Sequence, residues 1–482
     1  MSGALPRLGV LHAPNAAANL RDLVLAGRDR CEVVLLVRRD VAAAEPDLVR
    51  LGQALATVVV IGDDVTHELA GLGLDGLVTF HDAELEACDA AVRELGLPGA
   101  TEADQPWDKL VQRRLLNAAG VSTVRSAPVD SPAGLFEAAA EIGLPAVLKP
   151  RRGTASTDLG FLTGPADLEA EPGRRERWAG LVLEQMIQRA PHPSGRRWLA
   201  DYVSVETVTH RGLHTHVAVF DKTPLAVAGG TGPSRHAVRE TGDVLPAQLP
   251  PHVYDAVLAT TSAALTALTV RDRVSHTELR VCADGVEVIE VNGRLGGEVA
   301  GMIGMMGGSD LVRAAFDVAL GRRPELAAPT RPEVLVSLYV PFPERSGPVR
   351  SAVTRPQVRE LPGVVRVDEV AQHGAARSDT AFHAVKVLLT AADADSAGHL
   401  VRSVATRVAR LYEADGLGAD PWLRQLTDDG DESDAEPDSA RPVDATPDGA
   451  APGTTGPDSA APGTAAPDSA APIGAGTRGD TV

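Results

Sequence analysis

The sequence predicts a multidomain chain of α/β and α+β type, and three observations carry that reading. Four short apolar runs between residues 8 and 80 alternate with helix-like or loop stretches, the rhythm of β/α units on a parallel sheet. Further along, apolar runs come in neighbouring pairs joined near Gly212 and Gly285, as in antiparallel hairpins. The length of 482 residues divides into about three units at ~150 residues each.

The elements follow in chain order. LGVLHA (8–13), CEVVLLV (31–37), TVVVIG (57–62) and GLVTF (76–80) read as strands, and ELEACDAAVRELG as the helix closing an N-terminal β/α domain, residues 1–103. No GxGxxG follows the first strand, so this domain reads as a scaffold rather than a dinucleotide site. In DKLVQRRLLNAAG (108–120), Leu110, Val111, Leu115 and Leu116 mark an amphipathic helix that stops at glycine. SPAGLFEAAAEIG gives another helix, LPAVLKP a short strand, GLVLEQMI (180–187) a further strand, and YVSVETVTHRGLHTHVAVFDK two more. SHTELRVCADGVEVIEVNGR is the next strand pair, followed by a Gly/Met-rich stretch and the helix DLVRAAFDVALG. EVLVSLYV, AFHAVKVLLT and the helical HLVRSVATRVARLY make a C-terminal α+β domain, residues 331–426.

Residues 427–482 are different. Prolines recur every five residues from 437 to 472, aromatic residues are absent, and Val443, Ile473 and Val482 are the only large aliphatics. Such a segment buries too little surface to offset its ordering entropy, so an acidic Pro/Ala/Gly tail without stable structure is expected. An inert extension accounts for it more simply than a docking or solubilising role. The chain has 46 basic and 65 acidic side chains, net charge −19. The tail, with twelve acidic and two basic residues, supplies ten of those excess negative charges.

An acidic balance argues against a nucleic-acid partner, or an anionic membrane, held by general electrostatics. No apolar run approaches the ~20 residues of a membrane span, and the N-terminal stretch lacks the apolar core of a secretory signal. Cys31, Cys88 and Cys282 are far apart and form no CxxC, which fits a cytoplasmic location better than a disulfide framework. Cation usage is skewed. Lys109, Lys149, Lys222 and Lys386 are the four lysines beside 42 arginines. Where arginine is the default cation, a lysine near a phosphate-type loop invites attention.

The strongest local signal lies in HTELRVCADGVEVIEVN. A loop symmetric about Asp284 pairs Cys282 with Val286, Arg280 with Val288 and Glu278 with Glu290, and strand alternation puts Asn292 on the face of Glu290. Opposed carboxylates are destabilising unless a cation lies between them. Glu278, Glu290 and Asn292 offer the hard oxygen donors that Mg²⁺ prefers, with Mn²⁺ as an alternative. The competing reading is a solvated hairpin face on which Arg280 neutralises one glutamate. Arg294, and the backbone amides of Gly296 and Gly297, follow immediately and suit an anion. Upstream, Lys149 ends a strand and leads into Arg151, Arg152, Gly153, Thr154, Ala155, Ser156 and Thr157, small residues whose amides can wrap phosphate oxygens. GxxxxGK[ST] is absent, so this is not a Walker loop.

Taken in order, DKLVQRRLLNAAGV, LPAVLKPRRGTASTDLG, LVLEQMI, YVSVETV, VFDK, HTELR and IEVNGRLGGE resemble the ATP-grasp superfamily, and within it the carboxylate–amine ligases of the L-amino-acid ligase type. The resemblance covers about residues 107–310. It implies an ATP-grasp domain at 104–330 with two α+β subdomains, a cover subdomain at about 120–185 and a mobile loop at 150–160. It implies that Lys109, Lys149 and the 153–156 loop contact ATP phosphates, and that Glu184, Gln185 and Ile187 read adenine at a hinge. It further implies that Glu278, Glu290 and Asn292 bind the bridging metal and that Arg294 stabilises the acyl phosphate. Two departures stand out. PHPSGRRWLAD intervenes after the hinge, leaving Asp201 as a candidate for ribose, and RETGDVLP carries Asp243 where histidine often follows the glycine. Lys222 matches a family position but reads equally as a surface cation at a strand end, and His276 is given no role.

The implied reaction is ATP-dependent amide or peptide bond formation between small carboxylate and amine substrates, by a protein that the resemblance allows to be a homodimer. Two rival readings are a biotin-carboxylase-like enzyme activating bicarbonate and a non-catalytic nucleotide-binding partner protein. A family resemblance alone does not settle substrate.

Overall fold

The structure is a computed structural model that describes residues 4–99, 106–153, 158–229, 236–342, 353–375, 383–413, 422–423 and 426. The 427–482 tail and Thr154, Ala155 and Ser156 of the glycine-rich loop lie outside the described residues. Among the described residues no helix is long and apolar enough to cross a membrane.

The four N-terminal apolar runs are strands: β1 Arg7–Leu11, β2 Glu32–Arg38, β3 Thr57–Ile61 and β4 Gly76–Thr79. They form a parallel sheet in the order β3-β2-β1-β4. Val33–Val37 of β2 are all buried, as expected where helices cover both faces of a parallel sheet. The expected closing helix runs Leu85–Glu94.

The next lobe is a four-stranded antiparallel sheet of β5 Ser126–Val129, β6 Ala146–Pro150, β7 Gly160–Leu162 and β8 Leu181–Gln185, ordered β5-β8-β6-β7. Its helix, Pro132–Ile142, starts on a Ser131 side-chain cap with proline in the first turn. Leu135, Ala138, Ala139 and Ile142 of that helix bury against Leu148, Leu162 and Leu183, giving the lobe its own small core.

The remaining strands are β9 Tyr202–His210, β10 Leu213–Lys222, β11 Ala226–Gly229, β12 His236–Arg239, β13 Gly242–Leu245, β14 Arg273–Cys282, β15 Gly285–Asn292, β16 Val334–Pro341, β17 Val364–Val370 and β18 His383–Ala391. Apart from the β11–β12 ribbon they build one eight-stranded sheet, β15-β14-β9-β10-β13-β16-β18-β17. This sheet runs without a break across residue 330, because β13 pairs with β16 over Gly242–Leu245. One core under the β16–β18 end, including Val401, Val404, Val408 and Tyr412 of the helix Ala394–Glu413, packs against Trp198 and Trp422.

The hairpin corrects one detail of the expected register. Its loop has two residues, Ala283 and Asp284, so Cys282 pairs with Gly285 and Arg280 with Glu287. A bulge between Glu278 and Leu279 then absorbs Ile289 and restores the Glu278–Glu290 pair. The Glu278–Glu290 pairing survives because a one-residue slip at the turn is cancelled before it reaches the carboxylates.

His216 on β10 bonds Thr207 through Nδ1 (2.8 Å) and Ser262 of the helix Pro251–Ala267 through Nε2 (2.7 Å). Burial, with help from nearby His214, pushes its pKa down to about 4. The unfolded chain binds that proton near 6.5, so the contribution of this group to stability falls as pH drops from 6.5 toward 4. His216→Gln is expected to flatten that acid slope in urea unfolding measured between pH 7 and 4.5. An unchanged slope would remove His216 from the account.

Candidate functional site

The helix Lys109–Ala118 begins on Asp108, whose Oδ1 accepts from the Leu110 and Val111 amides. Arg151, just after β6, donates to both Asp108 oxygens (3.0 and 2.9 Å), and the Lys109 amide donates to the Arg151 carbonyl (2.9 Å). The helix start and the strand-to-loop junction are thereby tied together. Gly153, at φ 139°, holds a backbone conformation that side-chain-bearing residues rarely adopt, and its carbonyl accepts from Lys109 Nζ (3.1 Å).

Each of the two expected phosphate lysines has a carboxylate partner. Lys109 Nζ lies 3.0 Å from Glu290, and Lys149 Nζ 2.6 Å from Glu184. Burial pulls the Lys109 pKa down, but Glu290 outweighs it and the net direction is up. Burial likewise pushes Glu184 up, and Lys149 with Arg113 reverses that, so the carboxylate stays ionised. Arg113 is a residue that sequence reasoning missed. Its guanidinium is buried among Glu184, Glu287 (both 3.5 Å), Ser122 Oγ and the Val288 carbonyl, and it joins the small lobe to the hairpin.

Along the expected hinge, Gln185 closes β8 and its amide donates to the Arg125 carbonyl (2.9 Å), while the Met186 amide donates to Pro145 (3.0 Å). Ile187 follows in irregular backbone. Asp201, the ribose candidate, is buried between Arg280 (2.6 Å) and Arg189 (3.2 Å). Arg280 therefore serves Asp201 and not the glutamate pair, which removes the solvated-hairpin alternative in the form stated above.

Glu278 and Glu290 face each other across β14 and β15, with Asn292 opposite His276 one step along. Both carboxylates remain partly open, at 25% and 20% side-chain exposure. Each has its own cation: Lys109 for Glu290, and His276 Nε2 at 3.4 Å for Glu278. Burial raises the Glu278 pKa, but the His276 bond and charge dominate and hold it at about 2. His276 is itself clamped, its Nδ1 on Glu206 of β9. Burial lowers its pKa, Glu206 more than compensates, and the imidazole is held at about 9, so it is cationic at neutral pH. Among the described residues no group of three or more His, Cys, Asp or Glu gathers in metal-binding geometry. Two partly open carboxylates and an amide oxygen nevertheless form a donor set suited to a hard divalent ion that keeps further positions for other oxygens.

Two expectations beyond the hairpin are changed. The Gly296 amide donates to Glu206 Oε2 (3.2 Å), so it is engaged rather than presented to an anion. Glycine is required there because a Cβ would lie 2.6 Å from His276 Nδ1. Lys222 is not a surface cation. It is 1% exposed and donates to Asp243 (2.7 Å) and Glu240 (3.3 Å), with Tyr339 Oη donating to the other Asp243 oxygen (3.0 Å). A buried ammonium needs a carboxylate partner, which accounts for aspartate at 243.

Arg294 is gripped by Asp82, with Nε at 2.9 Å and Nη2 at 2.6 Å from one carboxylate oxygen, while Nη1 donates to the Leu295 carbonyl (2.7 Å). Asp82 lies just past β4, in the N-terminal domain expected to be only a scaffold. No local signal in the sequence marks it; only its place just past the end of β4 does. Lys109, Glu290, Glu278, Arg294 and Asp82 lie close enough to influence one another's charge, so one electrostatic cluster spans the helix start, the hairpin and the N-terminal sheet.

No family model matches the chain. It is 28% identical over 276 residues to carnosine synthase 1 of Homo sapiens, covering 54% of this chain and 32% of that protein. It is 24% identical over 225 residues to alanine–anticapsin ligase of Bacillus subtilis (strain 168), covering 43% and 46%. The chain thus spans about a third to a half of the length of these curated relatives. Among solved structures, an L-amino acid ligase from Bacillus licheniformis superposes with TM-score 0.62 at 18% identity, covering 84% of this chain and 98% of that one. The biotin carboxylase domain of a Hydrogenobacter thermophilus 2-oxoglutarate carboxylase, a dimer with MgADP and bicarbonate, gives TM-score 0.55 at 15% identity, covering 83% and 90%. These likenesses carry the fold.

Proposed function

We propose that this chain, an ATP-grasp protein, is a ligase that joins a small carboxylate to a small amine at the expense of ATP, through an acyl phosphate, releasing ADP and phosphate. The observation that carries the reading is the Glu278–Glu290 pair, open on one sheet face, in one charge cluster with Lys109 and Arg294. The matched relatives support it, one being named a ligase of alanine and anticapsin and the other a synthase of carnosine.

A free carboxylate is a poor electrophile for an amine. Moving the γ-phosphoryl group of ATP onto a carboxylate oxygen creates a leaving group, and the protein contributes positioning and charge. Lys109 and Lys149 supply ammonium groups to the phosphates, in competition with their present partners Glu290 and Glu184. Among the described residues the Ile187 amide makes no backbone bond, unlike Gln185 and Met186, so it is the group left to read adenine. Glu278, Glu290 and Asn292 would hold Mg²⁺, or Mn²⁺ in its place. That ion, when bound, neutralises phosphate oxygens. Arg294 faces the charge that develops on the acyl phosphate and the tetrahedral species formed from it. The amine nitrogen bonds to the carbonyl carbon, the carbon–oxygen bond to phosphorus breaks, and phosphate departs with the nitrogen's proton.

Incubation with ATP, Mg²⁺ and pooled amino acids tests the reading. ADP release should require both a carboxylate and an amine, and dipeptide masses should appear. Bicarbonate-stimulated turnover independent of amine would instead select a carboxylase, and ADP release that Glu290→Ala leaves unchanged would remove the site altogether. A cytoplasmic setting and a homodimer are further parts of the proposal.

A further inference from the structure

Apart from Asp201, the stretch PHPSGRRWLAD takes no part in the ligation described above. It builds a second constellation. His192, Pro193, Ser194 and Gly195 form a tight turn, closed by the Gly195 amide donating to the His192 carbonyl (2.8 Å), with Gly195 at φ 73°. Within it the His192 ring lies against Ser194, Nδ1 at 2.7 Å from Oγ. A contact between residues two apart is by itself only turn chemistry. The other ring nitrogen lifts it out of that class. Nε2 lies 3.1 Å from Oδ1 of Asp221, which comes from β10 and stands 29 residues away. His192 and Asp221 are 5% and 0% exposed. Asp221 is fixed in turn, its Oδ2 accepting from the Gln248 amide.

These bonds also decide the tautomer. The Ser194 amide donates to His192 Nδ1 (3.2 Å), so Nδ1 carries no hydrogen. The ring's hydrogen is then on Nε2, facing Asp221, and the Ser194 hydroxyl donates to Nδ1. Oγ itself accepts from the Arg196 amide (3.4 Å). A buried carboxylate thus orients an imidazole whose lone pair receives the hydrogen of a partly exposed serine. Nucleophile, base and orienting carboxylate stand in the order of a hydrolytic triad, with the two ring nitrogens in exchanged roles.

We propose that Ser194, His192 and Asp221 form a second active centre, independent of ATP, that hydrolyses small carboxylic esters. Ser194 Oγ bonds to the acyl carbon while its proton moves to His192 Nδ1. The ester carbon–oxygen bond then breaks, and that proton leaves with the alcohol. Water repeats the sequence on the acyl-serine and frees the acid, so ester and water give acid and alcohol. The Arg196 amide, already pointed at Oγ, supplies an N–H donor beside the oxyanion of each tetrahedral intermediate.

The test uses the full-length protein without ATP, so its outcome does not depend on the ligase reading. A biotinylated fluorophosphonate should label the protein, and peptide mass mapping should place the label on Ser194. Nitrophenyl acetate should be hydrolysed faster than in buffer alone. Ser194→Ala removes one oxygen atom, and it should abolish the label and lower ester hydrolysis about tenfold or more. His192→Gln should slow both reactions by about a hundredfold, the scale of a lost general base. Absence of label, label on another residue, or a Ser194→Ala rate within twofold of the parent overturns the proposal. So does a His192→Gln protein labelled within twofold of the parental rate, since the serine would then not depend on the histidine. If His192→Gln does not fold, the position of the label and the Ser194→Ala rate decide the matter alone.

Discussion

Glu290→Gln is expected to lower ATP-dependent turnover by about a thousandfold, ~4 kcal/mol of lost transition-state stabilisation. The expectation follows from register. Glu290 lies directly opposite Glu278, and the bulge that absorbs Ile289 exists on the very step that brings the pair into line. Glutamine keeps the shape of the side chain and removes the charge. In the protein without metal the two effects on stability oppose each other, since the change relieves a like-charge cross-strand pair and removes the largely buried Lys109 contact. The thermal midpoint should therefore move little while the Mg²⁺ concentration for half-maximal ADP release rises sharply. Parental turnover in Glu290→Gln would refute the assignment of this carboxylate.

Arg294→Lys is expected to cost about a hundredfold in kcat with a smaller change in the KM for ATP. Arg294 spreads three donors over Asp82 and the Leu295 carbonyl, and lysine cannot reproduce that fork. Ammonium keeps the charge, so a purely Coulombic role predicts near-parental activity, whereas positioned donors predict loss. Asp82→Asn completes the test. It leaves the arginine in place without its anionic anchor, and the loss expected is about tenfold, smaller than that of Arg294→Lys. Steady-state kinetics of the two variants and their double mutant should show that the effects are not additive, because the residues act as a unit. Simple additivity would place Asp82 outside the site.

Much of this architecture is written locally. The continuous apolar run of β2, the glycine-stopped helix at 108–120 and the hairpin around Ala283–Asp284 follow from periodicity and turn chemistry. β5, β7, β13 and β17 were not legible, being short or flanked by polar residues that give no alternation. The site divides in the same way. Lys109, Lys149, Glu278, Glu290 and Arg294 stand in motifs, whereas their partners do not. Asp82 meets Arg294 across 212 residues and Arg113 meets Glu287 only after the small lobe folds back. Glu206 took no part in the expectations because its role, clamping His276 and the Gly296 amide, exists only once β9 and β14 are paired. Long-range partners of this kind carry no signature in neighbouring residues. The electrostatic argument for a metal between two bare carboxylates also changed, since each glutamate proves to have its own cation.

The central claim is transfer of phosphate onto a carboxylate. Following ¹⁸O from a labelled carboxylate substrate tests it most directly. The account predicts one ¹⁸O atom in the released inorganic phosphate for each amide formed, with ADP as the nucleotide product. Label in AMP, or phosphate released without label while amide accumulates, would contradict it.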